Sequence, residues 1–177
     1  MSALCPWRRR VVISFLIRSV RAFNSFGEWT IDGANLRQLT AGANASSPHC
    51  SPNGKWLVYQ SWGSSGFSLW KLSIDGGEAL LVTDKFGTLP AVSPNGKLIG
   101  YYYGDPQTRA TKLALLPFEG GDHVKFFDLP TNVIAPGEIF RQPVRWTPDG
   151  RGLTYVITRG LVSNIWLQPV NGGSHGS

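Results

Sequence analysis

One nonapeptide pattern recurs three times along the chain: SPNGKWLVY at 51–59, SPNGKLIGY at 93–101 and TPDGRGLTY at 147–155. Each copy is followed by a second shared nonapeptide, LWKLSIDGG at 69–77, LALLPFEGG at 113–121 and IWLQPVNGG at 165–173. From the hydroxyl residue to the last glycine the distances are 26, 28 and 26 residues. A third element, EALLVTD at 78–84, has an earlier relative in ANLRQLT at 34–40. A sequence that keeps this register is built from copies of one supersecondary unit, each needing its neighbours to bury its apolar faces.

The chemistry of each piece says what the unit is. In Ser/Thr-Pro-Asn/Asp-Gly the hydroxyl residue can bond the backbone two residues on, and proline presets φ at the next position. Asn or Asp tolerates the third position, and Gly takes the left-handed conformation that returns the chain to a strand. The runs after the turn are rich in aromatic and branched residues, as second strands should be. Leu69 to Ile74, Leu113 to Phe118 and Ile165 to Val170 read as third strands. The Asp-Gly-Gly, Glu-Gly-Gly and Asn-Gly-Gly turns then lead into an outermost fourth.

The copies start 42 and 54 residues apart, and a period of about 40–45 residues is that of a four-stranded propeller blade. The expected fold is all-β, an incomplete β-propeller of about three four-stranded antiparallel blades, with no helix. The entering strands occupy 26–45, one blade 46–86, a second 87–130, and a partial blade 143–173. An insertion at 122–142 accounts for about twelve extra residues. About thirteen strands are expected in all. The core should include Trp56, Leu57, Tyr59, Trp70, Leu72, Leu98, Tyr101, Leu115, Trp146, Tyr155, Ile157 and Trp166.

On these residues the chain resembles the WD40-like repeat family typified by the propeller of TolB, whose blades carry a Ser-Pro-Asp-Gly turn followed by Lys and an apolar strand. Asn53 and Asn95 stand where that motif usually has Asp, and Thr147 where it has Ser. The stretch Asp32 to Thr40 looks like the family's blade ending, so the resemblance covers about residues 26–173. It implies a non-catalytic scaffold that binds a protein or peptide. The implied settings are an extracytoplasmic, periplasmic binding protein or the sensor-like region of a kinase or transcriptional regulator. The alternative it implies is the accessory propeller of a prolyl-oligopeptidase-like serine peptidase.

Charge does not point to nucleic acid. Of 17 basic residues, Arg8, Arg9, Arg10, Arg18 and Arg21 precede the first acid, Glu28, and the remaining twelve face eleven acids. Five of the six net positive charges therefore sit in the N-terminal segment, and the body has no basic face for phosphates. Residues 1–25 read as a basic extension outside the repeat. A cleaved signal or an amphipathic anchor stays open, but the apolar run from Val11 to Ile17 is too short to span a membrane. The two cysteines, Cys5 and Cys50, form no Cys-x-x-Cys, and Cys50 reads as a small buried hydrophobe.

No catalytic constellation emerges, and no cofactor or metal site is expected. Gly63-Ser64-Ser65-Gly66 has the wrong spacing for a nucleophile elbow, and His49, His123 and His175 lack partners at metal-ligand spacing. Two features suit recognition. Tyr101, Tyr102 and Tyr103 lead into Gly104 and Asp105 at a strand end, although packing between blades is the stronger reading of tyrosines in alternation. The insertion, which carries Glu138, is a long loop on a rigid scaffold. A fragment of about three blades also leaves open edges through which the chain could self-associate.

Overall fold

The structure is a computed structural model and describes residues 2–4, 10–15, 25–30, 37–40, 44–108, 110–129, 143–159 and 162–171. The described residues form fifteen strands and no helix. The first sheet holds β1 (Ser2–Leu4), β2 (Arg10–Phe15), β3 (Ser25–Thr30) and β4 (Arg37–Gln38). The second holds β5 (Ala45–Cys50), β6 (Trp56–Gly63), β7 (Gly66–Ser73) and β8 (Leu80–Thr83). The third holds β9 (Gly87–Val92), β10 (Leu98–Gly104), β11 (Thr111–Pro117) and β12 (Lys125–Asp128). The last holds β13 (Arg145–Trp146), β14 (Gly152–Arg159) and β15 (Val162–Pro169). Every sheet is an antiparallel meander in chain order. Successive sheets meet through their first strands: β5 packs on β1 to β3, β9 on β5 to β7, and β13 on β9.

From β3 onward there are thirteen strands, as the repeat requires. The N-terminal segment departs from expectation. β2 pairs with both β1 and β3, so two strands set aside in the sequence as an extension complete a four-stranded first sheet.

The turns explain why the nonapeptide repeats. In each, the glycine amide donates to the carbonyl of the hydroxyl residue three back at 2.9 Å, at Ser51, Ser93 and Thr147, and the glycine has φ of 65, 73 or 70°. Only glycine takes that conformation at little cost. The hydroxyl does more than expected. Ser51 donates to the Asn53 side-chain oxygen and accepts the amide of Trp56, five residues on. Asn53 in turn accepts the amide of Lys55. Ser93, Asn95, Lys97 and Leu98 repeat the arrangement, as do Thr147, Asp149, Arg151 and Gly152. The motif is a closed hydrogen-bond ring that fixes the entry of each second strand.

Side chains alternate between the two neighbouring sheets, so both strand parities are buried. One cluster joins Val58, Leu69 and Val82 of the second sheet to Ile99, Tyr101, Ala114 and Leu116 of the third. Another joins Tyr102, Leu113 and Leu115 of the third to Leu153, Tyr155 and Ile157 of the last. Of the expected core, Leu57, Tyr59, Leu72, Tyr101, Leu115, Tyr155 and Ile157 are buried. Trp56, Trp70, Leu98, Trp146 and Trp166 are only half-buried. Trp56, for instance, stacks edge-on to Phe118 and lies beneath the buried ammonium of Lys71, which also bonds the Phe118 carbonyl and the Glu119 carboxylate. Cys50 is buried, but it is disulfide-bonded and not the free hydrophobe the sequence suggested.

The first strands of the second and third sheets share a bulge. Ser47 and Leu89 both have φ of 53° and precede Pro48 and Pro90, and pairing slips at the same place in each. A left-handed non-glycine residue before proline is a costly conformation. At Leu89 it is held by Gln60 of the preceding sheet, whose Oε1 accepts the Leu89 amide at 2.7 Å while its Nε2 donates to Ser46 at 2.9 Å.

Candidate binding rim

Strands β6 and β10 both run away from their hydroxyl-Pro turns, so Trp62, Gly63 and Gly104 lie together at the opposite end of their sheets. There β6 and β7 close in a two-residue Ser64-Ser65 turn between the paired Gly63 and Gly66. The Gly104 amide donates to the Phe86 carbonyl at 3.0 Å, tying the connection between the sheets to the rim.

Of the five recognition residues the sequence offered, Tyr101, Tyr102, Tyr103 and Asp105 were placed at this strand end and Glu138 in the insertion. Tyr101 and Tyr102 are 0% and 1% exposed and serve opposite interfaces, so neither can touch a partner; packing between sheets is their role. Burial pushes both hydroxyls above the ordinary phenol range, with Tyr103 adding to it for Tyr101 and Tyr155 for Tyr102. The Tyr101 hydroxyl makes a short hydrogen bond with His123 Nε2. Burial, then the nearby Lys85, lowers the His123 pKa against the pull of Asp122, and His123 is a structural cap. Tyr103 is half-buried against His123 and Phe126. Asp105 is a loop former: its Oδ1 accepts the amides of Thr108 and Gln107 at 3.1 and 2.9 Å, bonds that hold its carboxyl below the usual range. Glu138 lies outside the described residues.

What the rim does present is an aromatic ladder that the sequence did not reveal. Trp62, 52% exposed, stands edge-on to Phe67 at 4.5 Å, and Phe67 edge-on to Phe86 at 5.3 Å. Edge-to-face packing of this kind fixes ring orientation. Phe86 is seated in a gap left by two glycines: a Cβ at Gly104 would come within 2.5 Å of its ring and one at Gly66 within 3.4 Å. An aromatic residue at a hairpin shoulder, Trp62 just before Gly63, was the one available signal. Gly104→Ala should therefore cost about 1–3 kcal/mol by displacing the Phe86 ring and lower the thermal midpoint; a neutral substitution would show that the ring is not wedged.

Among the described residues no three His, Cys, Asp or Glu side chains gather as a metal site, and no helix is long and apolar enough to cross a membrane.

No family model matches the sequence. An uncharacterized protein of Agrobacterium fabrum strain C58, Atu1656, is 27% identical over 135 residues, which is 71% of this chain and 44% of that one. TolB from Acinetobacter baumannii superposes with a TM-score of 0.73 at 17% identity, over 93% of this chain and 40% of its own. A TolB-type protein from Agrobacterium tumefaciens gives 0.74 at 18% identity, over 98% and 62%. The fold is an incomplete TolB-type β-propeller. Its sheets are blades, and the chain spans less than two thirds of the length of these relatives. A prolyl endopeptidase shares the propeller fold too, with a TM-score of 0.63 at 14% identity over 97% of this chain and 28% of its own.

Proposed function

We propose that this propeller is a non-catalytic module that binds a protein or an extended peptide through an apolar anchor. The observation that carries this is the Trp62, Phe67 and Phe86 ladder, a rigid aromatic row ending in an exposed indole at the loop end of two blades. Large aromatics held at low entropic cost are what recognition surfaces use as anchors. An extracytoplasmic setting fits the disulfide at Cys50, since such bonds persist in oxidising compartments, and it fits the likeness to TolB. The test is selection of binding peptides from a random display library, followed by titration against Trp62→Ala. The substitution should weaken the selected peptides at least tenfold, about 1.4 kcal/mol, with the β-sheet circular dichroism spectrum unchanged. Equal affinities would move the binding surface elsewhere.

The likeness to the prolyl endopeptidase favours a second reading, the accessory propeller of a serine peptidase. A hydrolase domain with a Gly-x-Ser-x-Gly elbow encoded in the same reading frame would decide for it.

A further inference from the structure

The repeat makes the junctions between blades comparable position by position. Where the second and third blades meet, the Tyr101 hydroxyl bonds His123 Nε2. The rings of Tyr103, His123 and Phe126 pack there as one cluster, with centroids 5.4, 5.0 and 4.5 Å apart. By the strand pairings, Tyr59, Ser61 and Trp70 of the second blade correspond to Tyr101, Tyr103 and Ala114 of the third. By its place after the paired glycines, Ala79 corresponds to His123. The first and second blades therefore meet around a serine and an alanine where the next junction has a phenol and an imidazole.

The exchange is only partly made good. Trp70 is far larger than Ala114, yet a cavity of about 290 Å³ remains at this junction, at the lower end of the sizes that hold small ligands. Its walls include Leu39 and Thr40 from the first blade's side and Tyr59, Ser61, Trp70 and Ala79 from the second's. The wall from the preceding blade is alike at both junctions, since Leu39-Thr40 aligns with Val82-Thr83. Among the described residues no charged side chain lines the cavity. The Trp70 indole is held in place by its own N–H, which donates to Ser68 Oγ at 2.9 Å.

We propose that this cavity binds an uncharged aromatic ring carrying one hydrogen-bonding group, the chemistry that Tyr103 and His123 bring to the next junction. A charge would be buried there without a partner, a cost that ring contacts do not offset. A ring gains from offset or edge-on packing against Trp70 and Tyr59, and the Ser61 hydroxyl can donate to its polar group or accept from it. The site is separate from the aromatic row at Trp62 and does not rest on the peptide-binding reading.

Titration of the 177-residue chain with p-cresol, followed through amide chemical shifts in nuclear magnetic resonance, tests the proposal. Shifts should centre on Ser61, Trp70 and Ala79 and saturate with a Kd of about 1 mM or tighter, which a ligand this small can supply. Cyclohexanol should bind about fivefold more weakly, and equal binding overturns the aromatic assignment. Ala79→Leu adds an isopropyl group to the cavity wall and should abolish the shifts with the β-sheet circular dichroism spectrum unaltered. Ser61→Leu fills the cavity from another side and decides if the first variant does not fold. N-acetyltyrosinamide separates two sources of the ring: binding tighter than that of p-cresol makes it a peptide side chain, and weaker binding makes it part of a free compound. No saturating shift with either probe at about 10 mM overturns the proposal. So do shifts centred on Trp62 and Phe67, or a folded filled variant that binds p-cresol as the native chain does.

Discussion

Replacing Gln60 with leucine should lower the stability of the chain by about 2–4 kcal/mol, far more than its place just past a nonapeptide copy suggests. Its carboxamide oxygen accepts the amide of Leu89, a residue held at φ 53° before a proline. Such a conformation costs about 1–3 kcal/mol and persists only where the surroundings impose it. Leucine keeps the bulk but offers no acceptor, so a buried N–H loses its partner at about 1–3 kcal/mol while the strain remains. Ser46→Ala is the contrasting change. It removes the acceptor for Gln60 Nε2 and leaves the Leu89 amide satisfied, so it should cost about 1 kcal/mol. Urea denaturation midpoints of the two variants measure the difference. Similar midpoints would mean that Gln60 does not hold the bulge.

That residue also shows where sequence reasoning stops. The hydroxyl-Pro-Asn-Gly turns specify strand boundaries because their hydrogen bonds close within six residues, from Ser51 to Trp56, and local chemistry of that kind is readable. A fourth, worn copy escaped for the same reason. Cys5-Pro6 lies 46 residues before Ser51-Pro52, inside the spacing of the others. It lacks the Asn-Gly that gives the turn its signature, and its three arginines read as a charged tail. The bulge acceptor at Gln60 and the Phe86 wedge depend on contacts between blades. Phe86 meets Gly104 across 18 residues and Gln60 meets Leu89 across 29, and no periodicity encodes either. The tyrosine run was visible as aromatic and its alternation as compatible with packing between blades, but nothing local showed how far along the strand that packing reaches. The half-buried tryptophans fail similarly, since a repeat says which strand a side chain is on and not how much of it a neighbouring sheet covers.

Acidification should destabilise the fold through His49, where the sequence showed only a histidine without partners at metal-ligand spacing. Its Nδ1 accepts the amide of Val92 at 3.2 Å, linking the first strands of two blades. A nitrogen that accepts that bond carries no proton. Burial, and then the charge of Arg145, lower its pKa from 6.5 to about 4, against a raising hydrogen bond at Cys50. In the unfolded chain the ring protonates near 6.5, so above that pH both states are neutral and the histidine contributes its full share to stability. As pH falls toward 4 the unfolded state takes up a proton that the folded state refuses, and stability drops until the folded ring protonates too. A shift of this size corresponds to about 3 kcal/mol, or roughly 6–12 °C in melting temperature for a chain of this length. The carboxyls of Asp105 and Asp149, held low by their own hydrogen bonds, titrate below this window and set a separate acid limb. His49→Gln isolates the histidine, because the amide oxygen can accept from Val92 and has nothing to titrate. Thermal melts between pH 7 and 4 should fall steeply for the native chain and less steeply for the variant, which keeps the acid sensitivity of His123, and parallel curves would rule out His49 as the acid-sensitive link between blades.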